Sequence, residues 1–281
     1  MRIANDAGRL VLVRDGGGLD VEKASDGLFG PDPQSVYERW GEFRAWAGTA
    51  EGEVAPIAPE TLQAPAPRPR QVFAIGLNYR AHAEESQLDE PEFPTTFTKF
   101  PTSFTGAFAT VHLPSDTVDW EVELVAVIGA RAHEVAAADA WDHVAGLTVG
   151  QDLSDRTVQL RPPVPQFSLG KSFPGFSPTG PELVTPDELP DRDDLEISCA
   201  IDGELMQQSR TSHMIFPIPV LIEKISAICP LLPGDVIFTG TPSGVGAVRE
   251  PKRFLRPGEV LESRIGGIGA MRNRMAPGAG R

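Results

Sequence analysis

The sequence predicts a strand-rich α+β protein, on three observations. Its apolar runs are short and bounded by turn residues. Glycine and proline number 28 and 27 among 281 residues, which interrupts long helices. Apolar residues at helical spacing occur in few places. Taken in order, RLVLVRDGG reads as a strand and a turn. SVYERWGEFRAWAG (35–48) then sets Val36, Trp40, Phe43 and Trp46 on one helical face, a packing face. TLQAPAPRPR (61–70) has three prolines among small and basic residues and reads as a linker. It divides a small N-terminal region, 1–65, from a larger one, 66–281. Beyond it, QVFAIGLN (71–78), WEVELVAVIG (120–129), VAGLTVGQD (144–152), LEISCAIDGE (195–204) and GDVIFTGT (234–241) have the composition of strands. Helices are expected around 139–146 and from Pro217 to Ala227, where the proline suits a first turn. PLLPGDVIF places a tight turn before a strand, and the closing APGAGR (276–281) reads as a frayed tail.

Composition narrows the class. Hydrophobic residues make up 41%, and no run approaches the ~18 uninterrupted apolar residues of a membrane span. The expectation is a soluble globular protein with no membrane partner. The net charge of −14 argues against binding nucleic acid over the whole surface, which needs a basic face to displace counterions. Small molecules are the expected ligands. The first residues lack the pattern of a signal peptide, and Cys199 and Cys229 sit in apolar contexts, so a cytoplasmic protein with reduced thiols is expected. The charge is uneven: residues 71–248 hold 25 acidic and 9 basic side chains, whereas 249–281 hold 3 and 8.

Within the acidic stretch, DWEVELVAVIG is the most informative segment. Side chains alternate along a strand, so Glu121 and Glu123 share one side while Val122, Leu124, Ala126 and Ile128 take the other. Two adjacent carboxylates repel unless a cation lies between them, or unless the strand is an edge whose glutamates face water. Asp152 closes a second apolar strand, and carboxylates at neighbouring strand ends can converge. Three such groups suit Mg²⁺ or Mn²⁺, and no Cys/His cluster has the spacing of a zinc site. Lys171, in FSLGKSF, either snorkels to the surface or works in a site. His82 lies three residues before Glu85, one helical turn apart. A carboxylate in that position fixes the tautomer of an imidazole and raises its basicity, as a general base requires; a surface pair is the alternative. The acidic, proline-containing stretch that follows, 83–95, has the composition of a lid.

Together, NYRAH with Glu85, FTKFPTS, DWEVELVAVIG, GQD with SDRTVQ, the GKSF lysine, TSHMIFPIPVLI and LLPGDVIFTGTPSGVG occur in the order and spacing of the fumarylacetoacetate hydrolase family, over about residues 71–275. The sequence resembles that family throughout this span, with one departure at Ala81, where many members carry aspartate before the histidine. The resemblance implies a mixed β-sandwich roll of the fumarylacetoacetase C-terminal type, preceded by a small N-terminal α+β region and assembled as a homodimer. It implies Mg²⁺ or Mn²⁺ on Glu121, Glu123 and Asp152, and catalytic roles for His82, Glu85 and Lys171. Tyr79, Arg156, Gln159, Gly240 and Thr241 would contact a 2-oxo or 2,4-diketo acid substrate.

The reaction expected from this resemblance is hydrolysis of a C–C bond in an acylpyruvate or 2,4-diketo acid. His82 and Glu85 would activate water, Lys171 would stabilise the oxyanion, and the metal would stabilise the enolate that leaves. The alternative is a metal-dependent 2-oxo acid decarboxylase or isomerase, of the oxaloacetate decarboxylase or 2-hydroxyhepta-2,4-diene-1,7-dioate isomerase type. A third reading is a non-catalytic binding member.

Overall fold

A computed structural model describes residues 1–278 of the chain. Among the described residues the strands form mixed sheets and the helices are few and short. The larger sheet has twelve strands. Its main path runs Val54–Pro56, Gly17–Asp20, Arg9–Arg14, Arg2–Asp6, Ser177–Val184, Val144–Gln151, Val122–Ile128, Val236–Phe238, Val72–Gly76 and Thr95–Phe97. A second sheet of five strands is ordered Glu204–Arg210, Glu196–Ile201, Val260–Ile265, Gly269–Pro277 and Thr110–Leu113.

The strand Val122–Ile128 shows why the sheets pack as they do. It is an unbroken run of buried residues, the pattern of a strand covered on both faces. Val122, Leu124, Ala126 and Ile128 join one core with Ile197, Cys199, Leu261 and Met271 of the five-stranded sheet. Val125 and Val127 join a second core with Trp40, Phe43 and Ile3 of the N-terminal region. The first 65 residues therefore cover one face of the sheet, and they also extend it: Arg2, Ile3 and Ala4 pair antiparallel with Val184, Leu183 and Glu182.

The helix expected near Pro217 spans Ile218–Ser226 and buries Leu221, Ile222 and Ile225. That expected over 35–48 is a 3₁₀ turn, Ser35–Arg39, continued by an α-helix, Trp40–Ala47. The segment 139–146 differs from expectation. It forms a 3₁₀ helix only as far as His143, because Val144 begins a strand and pairs with Ile128. The tail also differs at its start, since Ala276 and Pro277 pair with His112 and Leu113; residues 279–281 lie outside the described residues. No helix among the described residues is long and apolar enough to cross a membrane. Both cysteines are free, Cys199 buried and Cys229 half-buried.

Candidate active site

Register brings the carboxylates together. Strands Val122–Ile128 and Val144–Gln151 are antiparallel, with Glu123 opposite Gly150 and Val122 opposite Gln151. One step further, the Asp152 amide donates to the Glu121 carbonyl at 2.9 Å, so Glu121 and Asp152 are cross-strand neighbours. Gly150 keeps the space between the strands clear: a Cβ there would lie 2.4 Å from Val125 Cγ2 and 2.9 Å from Phe238 Cε1. Glu121, Glu123 and Asp152 each offer a ligand oxygen within 4.8 Å of the others. All three are buried, and their strand lies between two others, so the reading of an edge whose glutamates face water does not hold.

Two buried lysines and the half-buried Arg156 face these charges, although burial pulls Lys99 below the ordinary lysine value against the pull of Asp152. Lys171 Nζ donates to Glu121 Oε2 at 2.8 Å and to Asp152 Oδ2 at 2.7 Å. It neither snorkels nor stands free. Arg156 reaches Glu121 Oε1 at 2.8 Å, and it is itself held by Asp119 Oδ2 and Gln159 Oε1. Lys99, fully buried, donates to Asp152 Oδ1 at 2.5 Å, to Phe176 O at 3.1 Å and to the Lys171 carbonyl. Burial pushes the Glu121 carboxyl up, but Lys171 and Arg156 outweigh it and hold the group at about 2. Glu123 behaves oppositely. Burial raises it, Asp152 and Glu121 raise it further, and it stands well above the ordinary value. Among the described residues its only hydrogen bond is from the Gly240 amide at 2.7 Å, and no cation pairs with it. The donor set, three buried carboxylates of which one lacks a countercharge, fits a hard divalent ion such as Mg²⁺ or Mn²⁺.

A His–Glu pair stands beside Glu121, with His82 and Glu121 lining one cavity. His82 and Glu85 lie on the short helix Arg80–Glu85, one turn apart, with Nδ1 2.7 Å from Glu85 Oε1. The Gly244 amide donates to both Glu85 oxygens, at 3.1 and 3.0 Å. A carboxylate only accepts, so Nδ1 is the donor to Glu85, and in the neutral ring Nε2 is the basic nitrogen. Gly244 can do this only as glycine: its φ is +105°, and a Cβ would lie 2.2 Å from the Met206 carbonyl oxygen.

The TGTPSGVG turn supports the site through its backbone. Its amides engage carboxylates: Gly240 donates to Glu123, Gly244 to Glu85, and Gly246 and Ala247 to Asp119. Thr241 Oγ1 donates to the Val122 carbonyl and accepts from Gln207 Nε2.

The cavity occupies about 320 Å³ and is lined by His82, Glu121, Arg156, Gln159, Lys171 and Thr241, with apolar side chains around them. Ser86 and Leu88 of the acidic stretch also line it. Gly240 and Tyr79 do not. Tyr79 is buried, its hydroxyl has no partner, and burial together with nearby Glu123 raises its pKa.

Sequence reasoning missed three residues. Asp119 is fully buried and receives the amides of Trp120, Gly246 and Ala247 as well as Arg156. It stands two residues before Glu121, so the alternation that singled out the glutamates includes it. Gln207 ties the Val122 amide to Thr241 and Pro242, and Lys99 stands behind Asp152. Neither is signalled by its neighbours in sequence.

Mixed strand sheets, a buried carboxylate cluster beside a cavity that His82 and Glu121 line, and a supporting glycine turn define an enzyme class. Residues 71–276 match the model of the fumarylacetoacetate hydrolase C-terminal domain, and the chain belongs to that family. Among curated proteins it is 42% identical over 224 residues to a mitochondrial oxaloacetate tautomerase of Bos taurus, covering 79% of this chain and 71% of the relative. Among solved structures, a Mycobacterium smegmatis protein described as HpcE is 54% identical, with a TM-score of 0.96 over 99% of this chain and 100% of that one. The maleylpyruvate hydrolase of Sphingobium sp. SYK-6, solved with manganese(II) and pyruvate, is 27% identical with a TM-score of 0.79, over 99% and 100%.

Proposed function

We propose that the protein is a divalent-metal-dependent isomerase that interconverts the keto and enol forms of a 2-oxo acid, with oxaloacetate as the first substrate to test. One observation carries the reading: His82, held by Glu85, and Glu121 of the carboxylate cluster line the same cavity. The tautomerase named among its relatives favours this over hydrolysis. Glu121, Glu123 and Asp152 would hold the ion. Bound Mg²⁺ or Mn²⁺ would supply Lewis-acid polarisation of the 2-oxo group, which acidifies the adjacent C–H. His82 Nε2 takes the proton from C3 and passes it to the oxygen at C2, while Glu85 stabilises the imidazolium between the two transfers. Lys171 and Arg156 balance the charge of Glu121 and keep it ionised. Arg156, Gln159 and Thr241, which line the cavity, are the proposed substrate contacts, whereas Tyr79 and Gly240 act from behind Glu123. The apolar walls limit exchange of the proton with water.

The test follows loss of the enol of oxaloacetate by ultraviolet absorbance, with Mn²⁺ and with chelator. Acceleration that requires metal and is lost in His82→Ala is expected. Acceleration that survives both treatments would refute the assignment.

Hydrolysis of an acylpyruvate or 2,4-diketo acid is the second reading, favoured by the likeness to the pyruvate-bound maleylpyruvate hydrolase. A base that takes a proton from carbon can also take one from water. Pyruvate release from acylpyruvates, measured on the same samples, separates the two. A homodimer in a cytoplasmic setting belongs to this proposal; sedimentation and cell fractionation test it.

A further inference from the structure

The ionisable side chains that line the cavity are buried or half-buried and form its floor, whereas its exposed large side chains are apolar. Its ionisable lining residues are His82, Glu121, Arg156 and Lys171, and each is already paired: His82 with Glu85, Arg156 with Asp119 and Glu121, Lys171 with Glu121 and Asp152. From this floor the wall becomes aromatic and then aliphatic. The Phe97 ring lies 5.1 Å from Lys171 Nζ, and Phe167 meets Phe97 edge to face at 5.5 Å. At the mouth stand Leu88, Leu160 and Val248, 58%, 53% and 41% exposed, an unusual placement for large apolar side chains unless something covers them. Among the described lining residues, no free cation is available to a second anionic group. The stretch that contributes Leu88 also carries Asp89, Glu90 and Glu92, all exposed, and among the described residues only Glu90 has an ion-pair partner, Arg80 at 3.3 Å.

We propose that the site selects 2-oxo acids whose chain beyond C4 is uncharged and apolar. The inference rests on the 2-oxo acid reading above and deepens it. The chelating head sits on the carboxylate floor, and the tail lies along Phe97 and Phe167 toward Leu88, Leu160 and Val248. A terminal carboxylate there would lose part of its hydration without gaining a partner and would face the acidic stretch at the mouth. A terminal methyl would instead bury apolar area. Oxaloacetate ends at C4, so it stays within the polar floor and is not excluded.

Two acids of equal length test this: 2-oxohexanoate ends in a methyl and 2-oxoadipate in a carboxylate. The manganese-loaded protein is titrated calorimetrically with each, and with oxaloacetate. Binding of 2-oxohexanoate on the order of 30-fold tighter than 2-oxoadipate is expected, allowing for partial hydration at the open mouth. Leu160→Arg, a change at an exposed position, places a cation at the rim and should bring the two affinities to within about threefold by strengthening 2-oxoadipate. Equal or tighter binding of 2-oxoadipate by the unaltered protein overturns the inference. An unchanged ratio in Leu160→Arg overturns the placement of the tail, and with it the inference. If oxaloacetate binds and neither six-carbon acid does, the inference falls alone; if none of the three binds, the 2-oxo acid reading falls with it.

Discussion

Replacing Lys99 by methionine isolates the buried cation behind the carboxylate cluster. Methionine keeps the length and apolar character of the stem while removing the charge and three donated hydrogen bonds. The lost contacts are those to Asp152 Oδ1 at 2.5 Å, to Phe176 O at 3.1 Å and to the Lys171 carbonyl. Breaking a buried ion pair from one side costs about 3–5 kcal/mol, because the remaining charge stays buried. Asp152 keeps Lys171 at 2.7 Å, which favours the lower end, about 3 kcal/mol. For a chain of this size that lowers the melting temperature by about 6 °C. Calorimetry in the presence of chelator measures it. Mn²⁺ brings positive charge to the same carboxylates, so saturating Mn²⁺ should raise the melting temperature more in Lys99→Met than in the unaltered protein. An unchanged melting temperature in chelator would refute the reasoning, since the ion pair would then carry no weight.

Two further substitutions probe the same neighbourhood. Glu123→Gln should leave the metal-free fold intact or firmer, because burial and its acidic neighbours already favour the protonated carboxyl, while stabilisation by Mn²⁺ is lost; thermal unfolding with and without the ion reads both. The sign with pH follows from a folded pKa raised above the ordinary glutamate value of 4.5. Stability from this group is complete below that value and is lost as pH rises through the folded pKa, so in chelator the unaltered protein should weaken over that range and Glu123→Gln should lack this component. Gly244→Ala should cost about 2 kcal/mol or more in thermal unfolding, from the positive φ and the contact with the Met206 carbonyl, and should reduce turnover at least about tenfold while leaving Mn²⁺ affinity unchanged. Normal turnover in that variant would show that the Gly244 amide does not position Glu85.

What was legible in the sequence was what depends on neighbours in the chain. Strict alternation placed Glu121 and Glu123 on one side, and an apolar run ending in Asp152 placed the third carboxylate at a strand end. A proline suited to a first turn placed the helix from Pro217 to Ala227, which forms over Ile218–Ser226. Lys99 was invisible for the converse reason: its three partners lie 53, 72 and 77 residues away, and a lysine between threonine and phenylalanine reads as surface. Gln207 serves the turn at 241 and the strand at 122 from a third element, and no local pattern marks such a residue. The 139–146 segment misled because its first half is compatible with a helix, whereas Val144 is claimed by a strand partner, Ile128, that only the folded sheet supplies. Asp119 was legible and passed over.

The pairing of Arg2–Asp6 with Ser177–Val184 also bears on how the chain reaches this structure. The two strands are far apart in the chain, and the partner is synthesised long after the first strand has emerged. Until then Ile3, Leu10 and Leu12 lack the part of their core that Val125, Val127, Leu183 and Phe238 supply, and closing so long a loop delays its completion. Folding of the N-terminal face is therefore expected to come late. In the interval, Glu182–Val184 present unpaired amides and carbonyls to any other strand that reaches them first, while Pro178 and Pro181 offer no amide to such a partner.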